Sequence, residues 1–215
     1  MSSGERDDGG EPDTRTRILA ATWRLMEERR GQGVRLSDIA RAAGVSRQAV
    51  YLHFGSRATL LVATVRYADR TRGLTERLGP FRAAATGVEA LDAFVDFWGH
   101  YIPDMYGLAR ALLDARATDE GAAAAWDDRM AAVRGGCRLI VAALARDGTL
   151  APGWTPDEAT DTLWALLSVA VWEQLVIDRG RSVDEYVRWL RAALRRAFVR
   201  PPWPPNPGGN QASTP

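Results

Sequence analysis

From residue 14 to residue 199 apolar side chains recur at steps of three and four, and no two-residue alternation lasts the length of a strand. Such a chain buries one stripe of each helix and offers nothing from which to build a sheet, so the fold class is all-α. The stripe is clearest over 120–146, where Trp126, Met130, Val133, Cys137, Ile140 and Leu144 alternate steps of four and three. Glycine and proline punctuate the rest. Together these signals predict helices over about 14–30, 37–43, 46–53, 57–78, 87–101, 104–117, 120–146, 156–178 and 183–199, with breaks at Gly44, before Gly79, at Pro103, at "DGTLAPGW" and at "DRGRS".

A chain of 215 residues can bury a sizeable core without disulfides or metals. Its 46% hydrophobic content, 26% charge and net +1 are ordinary, so any preference for a charged partner has to be read from where the charges lie. All 28 basic residues are arginine, whose planar forks suit phosphate oxygens and base edges. Over 13–60, nine arginines stand against four carboxylates, a net of +5, and the remainder is net acidic. A basic lobe on an otherwise acidic chain is the footprint of a nucleic-acid module. The single cysteine, Cys137, has no intrachain partner, and neither a signal-peptide pattern nor a long uncharged apolar run is present, so the expected compartment is the cytoplasm, with no membrane partner. Residues 1–12 are polar with Gly and Pro and read as a disordered tail. Residues 201–215 are Pro-rich and read as a polyproline-like or disordered tail, in which Trp203 is the one unusual side chain.

The segment "LSDIARAAGVSRQAVYLHFGS" has the layout of a helix-turn-helix. Ile39 and Ala40 face one way on a short helix, Gly44 permits the left-handed backbone of a sharp turn, and Val45 fills the corner. Ser46 then stands where an N-cap belongs and starts a second helix steeply inclined to the first. At about 100° per residue, Arg47, Gln48 and Tyr51 share one arc and Val50 lies outside it. Arg can bond guanine O6 and N7, and Gln can bond adenine N6 and N7, so this pair is able to read base edges in a major groove. Tyr51 can donate to a phosphate or pack on a thymine methyl, His53 can reach the backbone, and Arg57 follows as a further phosphate partner.

The stretch "TRILAATWRLMEERR", continued by "LSDIARAAGVSRQAVYLHFGSRATLL", resembles the DNA-binding domain of the tetracycline-repressor (TetR) family of bacterial transcriptional regulators over about residues 14–65. Tyr51, His53, Phe54 and the "GSR" before "LL" carry the family pattern. The resemblance implies base reading by Arg47 and Gln48, a phosphate or base contact by Tyr51, phosphate contacts by Ser46, His53 and Arg57, and DNA contacts by Arg35 and Ser37 at the start of the preceding helix. Val34 and Arg35 depart from the family, which places a hydroxyl residue just ahead of the position of Leu36, and "GQG" replaces the usual aromatic after the first helix.

The resemblance further implies a three-helix DNA-binding domain at 13–60, joined by a linking helix to a larger helical ligand-binding and dimerisation domain at 61–200. The expected partners are double-stranded DNA with a palindromic operator, a second copy of the chain, and a small apolar or aromatic ligand. Broad apolar faces at 156–178 and 183–199 suit the dimer contact. Phe97, Trp98, Tyr101, Met105, Tyr106, Trp126, Met130, Trp164 and Trp172 are candidates for the ligand pocket, with His100, Tyr101 or Glu173 as polar handles. An enzyme is not expected. The two histidines, His53 and His100, lie in different units, Cys137 sits in an apolar stripe, and neither zinc spacing nor a phosphate-cradling glycine loop occurs, so no metal or cofactor is called for. The expected function is that of a ligand-released repressor; the alternative is a helical small-molecule binding protein that does not bind an operator.

Overall fold

The computed structural model describes residues 13–201; the segments 1–12 and 202–215, Trp203 among them, lie outside the described residues. Eleven α-helices and one π-helical turn are found among the described residues, with no strand beyond an isolated bridge between Leu150 and Val199. The chain divides into two compact units: the first runs through Leu74 and adds Met105–Met130, and the second comprises Thr75–Asp104 and the chain from Ala131 onward.

In the first unit α1 (Thr14–Glu28), α2 (Leu36–Ala42), α3 (Arg47–Phe54) and α4 (Arg57–Thr71) pack with the end of α7 (Gly87–Ala115) and the start of α8 (Glu120–Arg146). Ile18, Met26, Ile39, Leu60, Leu61 and Ala111 form its fully buried centre. Asp13 caps α1 by accepting the Thr16 amide at 2.7 Å. After α1 the chain turns through Arg30 and Gly31, both at positive φ. A side chain at Gly31 would strike the Ala111 carbonyl of α7, so this position demands glycine for space as well as for backbone conformation. α4 and α8 run parallel, as the pairs Arg57–Asp119 and Arg66–Asp128 share a separation of 62 residues. Asp69 and Arg129 add a more buried pair at 3.1 Å.

In the second unit α5 (Leu74–Arg77) begins at the boundary and leads to α6 (Gly79–Ala83), then the first part of α7, the rest of α8, α9 (Pro156–Leu166), α10 (Val169–Trp172), a π-helical turn (Glu173–Asp178) and α11 (Val183–Phe198). α7 and α11 are antiparallel: Asp92 pairs with Arg195, Asp96 with Arg191 and His100 with Asp184. Thr155 with Glu158, and Ser182 with Glu185, build capping boxes at the starts of α9 and α11. The "DGTLAPGW" loop is held to the end of α11, where Ala151 and Arg200 donate amides to Phe198 and Thr149, each at 2.8 Å, and the Trp154 indole donates to Ala197.

Three helix boundaries differ from those the sequence predicts. The helix expected over 57–78 stops at Thr71, because the chain turns left-handed at Gly73 before α5 starts. Pro103 does not break its helix; α7 runs through it, since the buried residues Tyr101 and Ile102 before it and Leu108, Ala111 and Leu112 after it anchor both sides. The helix expected over 156–178 breaks at Leu167, whose ψ of 51° leaves the helical range, and Ser168 restarts it by capping Val171.

Candidate nucleic-acid interface

α3 owes its start to Ser46, whose hydroxyl accepts the Ala49 amide at 3.0 Å, and its angle to Gly44, which turns the chain at φ 66°. Val50 and Phe54 are buried, so the helix is fixed from beneath and cannot roll. The opposite side is left to solvent: Arg47, Gln48, Tyr51, Leu52 and His53 are all exposed. Arg47 lies over the Tyr51 ring at 5.6 Å, one turn away, which holds the guanidinium along the exposed side of the helix.

Leu52, 80% exposed, belongs to the same face, although the helix-turn-helix motif does not single it out. Its signal was available, since at about 100° per residue it falls beside Gln48 on the helix wheel.

α2 lacks the expected hydroxyl cap, and Asp38 supplies the substitute. Its carboxylate reaches back to the Arg35 amide at 3.4 Å and is gripped by Arg29 at 2.9 Å and Arg41 at 3.0 Å. These hydrogen bonds, led by that of Arg29, hold its carboxyl below the usual aspartate value. Arg35 and Ser37 stay exposed at the helix start.

A cleft of about 930 Å³ opens within the first unit. Its walls are the starts of four helices, with Arg35 and Ser37 from α2, Arg47 from α3, Ser56 and Arg57 from α4, and Asp119 and Glu120 from α8. The starts of α3, α4 and α8 carry partial positive charge, and three arginines stand there against Asp119 and Glu120, so the cleft has a small positive balance. The structure therefore brings Arg35, Ser37, Arg47 and Arg57 together; Gln48 and Tyr51 join them through the α3 face, and Ser46 acts as the cap. His53 stands apart, its ring 6.2 Å from that of Phe54.

Arg57 is not free in the cleft. Its Nε and Nη2 donate to Asp119 Oδ2 at 2.8 and 2.6 Å. Partial burial alone would raise the Asp119 carboxyl, but Arg57 and the amides of Ala122 and Gly121 outweigh it and hold the group below the ordinary aspartate value.

The nine pocket candidates are shared between the units. Phe97, Trp98, Tyr101 and Trp172 are buried in the second unit with Trp164 half-buried, and Met105, Tyr106, Trp126 and Met130 are half-buried in the first. Within the second unit Phe81, Phe94, Phe97 and Tyr101 form a run of ring contacts at 5.0–5.7 Å. Of the handles, exposed His100 contacts the Asp96 carbonyl at 2.9 Å and Asp184 at 3.2 Å, while Tyr101 is buried and Glu173 half-buried. Cys137 is fully buried. No helix among the described residues is long and apolar enough to cross a membrane.

Residues 18–64 match the family described as bacterial regulatory proteins, tetR family. The transcriptional regulator BetI of Rhizobium meliloti is 34% identical over 88 residues, 40% of this chain and 42% of that protein. The regulator CymR of Pseudomonas putida is 26% identical over 73% of this chain and 75% of its own length. The crystal structure of native NalD, the secondary repressor of the MexAB-OprM multidrug efflux pump in Pseudomonas aeruginosa, superposes with a TM-score of 0.62 at 27% identity, covering 87% of this chain and 96% of that one. BetI and CymR are both transcriptional regulators of the helix-turn-helix type. With the helix-turn-helix, the exposed outer face of α3 and these likenesses in place, residues 18–64 are assigned to the tetR family of bacterial regulatory proteins.

Proposed function

We propose that this chain is a cytoplasmic, homodimeric, sequence-specific DNA-binding repressor that a small-molecule ligand releases from its operator. The observation that carries the reading is the outer face of α3, where Arg47, Gln48, Tyr51 and Leu52 stand exposed together on a helix locked by buried Val50 and Phe54. Residues 13–60 are the DNA-binding domain on this reading, and 61–200 bind the ligand and the second copy. Arg47 and Gln48 read base edges, Leu52 meets a thymine methyl, and Ser46, Tyr51, His53, Arg35, Ser37 and Arg57 hold the backbone. The repressor assignment draws support from NalD, itself a repressor.

A dimer presents two α3 helices to successive major grooves about 34–36 Å apart, which is why the operator is palindromic. Ligand acts by favouring a conformation in which that spacing is lost, and this requires it to bind the two states with different affinity. A gel shift on the DNA upstream of the chain's own gene tests the reading, with a specific complex expected at low salt in the absence of ligand. Failure to shift any genomic fragment would overturn it. Solution mass tests the dimer separately, because a monomer at micromolar concentration contradicts the assigned assembly.

A further inference from the structure

Asp119 has both carboxylate oxygens engaged. Oδ1 accepts the amides of Gly121 at 2.9 Å and Ala122 at 3.2 Å, which caps α8, and Oδ2 accepts two N–H groups of Arg57. The pair is well sheltered, with the Arg57 and Asp119 side chains 24% and 20% exposed, whereas the parallel pair Arg66–Asp128 is 62% and 38% exposed. It also lies in the cleft where Arg35, Arg47 and the starts of α2, α3, α4 and α8 meet. A phosphate taking Arg57 side-on, through Nε with Nη2, needs the edge that Asp119 occupies. The carboxylate thus occupies, from within the chain, the edge of Arg57 that a side-on phosphate takes.

We propose that Asp119 is a positioning residue that stands in for a DNA phosphate: its carboxylate and a backbone phosphate compete for Arg57, and the balance sets how strongly the cleft grips DNA. The inference rests on the DNA-binding reading above. It ties the start of α8 to the start of α4 through one exchangeable partner, so a change that draws Asp119 away from Arg57 releases a cation to the DNA.

Asp119→Asn separates the two roles, since Asn caps a helix as well as Asp but does not hold a guanidinium as a carboxylate does. Asp119→Ser, also a good cap, serves if the Asn variant folds poorly. Full-length wild type, both variants, Arg57→Ala, the double variant carrying Asp119→Asn with Arg57→Ala, and Glu120→Gln would be titrated by fluorescence anisotropy against a labelled duplex recovered by selection from a random pool. Asp119→Asn is expected to bind more tightly and with a salt slope steeper by about 0.9, so that its advantage shrinks about 3.5-fold between roughly 50 and 200 mM salt. With Arg57→Ala already present, the same change is expected to gain no more than Glu120→Gln does and to leave the slope where it was. Glu120→Gln, in the same cleft, measures loss of negative charge alone and is expected to gain less. Equal affinity and slope for wild type and Asp119→Asn would overturn the proposal. So would an undiminished gain in the Arg57→Ala background, or an equal gain from Glu120→Gln. If selection recovers no duplex that wild type binds, the regulator reading itself fails and takes this inference with it. A wild type that binds beside an unchanged Asp119→Asn sinks the inference alone.

Discussion

Arg47 combines a charged fork with a fixed direction: it lies over Tyr51, and the helix beneath both is pinned by Val50 and Phe54. A side chain restrained in this way loses less freedom on meeting a base edge, which favours selective contacts over diffuse ones. Arg47→Ala and Gln48→Ala are each expected to cost about 1–3 kcal/mol of operator affinity, concentrated at particular base pairs. Equal losses on operator and random duplexes, measured by competition, would assign both residues to the backbone instead. Cys137 is the opposite case, a reactive residue type in an inert place. Burial pushes its thiol up to about 12, so it stays protonated at neutral pH. It is expected to react with a disulfide reagent only as fast as the protein unfolds; rapid labelling in native buffer would contradict the buried position.

Among the elements, α7 shows how packing overrides a local breaker. Pro103 removes one amide donor from the ladder, yet the helix continues because apolar residues on either side of it are buried. Pro103 itself is exposed, so replacing it should disturb no core contact. Pro103→Ala is expected to stabilise the protein by up to about 3 kcal/mol in urea denaturation, the penalty for proline in a helix interior. A loss of stability would mean that the packing requires the backbone geometry that proline fixes at this position. α9 makes the complementary point: nothing in its apolar spacing forbids continuation beyond Leu166, but Ser168 competes for the backbone and restarts the chain as α10.

At the scale of the whole molecule, stability depends on pH through contacts between distant segments. Partial burial pulls the His100 ring downward, but its hydrogen bonds to the Asp96 carbonyl and to Asp184, with the charges of both carboxylates, outweigh this and raise it above the ordinary histidine value. The folded state therefore favours the protonated ring, and the resulting stabilisation is complete below the unfolded value of about 6.5 and is lost as pH rises through the higher folded value. The melting temperature of wild type is expected to exceed that of His100→Gln most in mild acid, with the gap closing towards alkaline pH. A gap independent of pH would remove His100 from this linkage. The helical class, the turn at Gly44 and the outward arc of Arg47, Gln48 and Tyr51 could all be read from residue spacing, because neighbours three and four apart on a helix are set by local geometry. The engagement of Arg57 by Asp119, 62 residues on, could not, nor could the passage of α7 through Pro103, the break at Leu167 or the division of nine aromatic and methionine candidates between two units. These features arise where segments remote in the chain meet, and a local period carries no record of which remote partner will satisfy a charge or cover an apolar face.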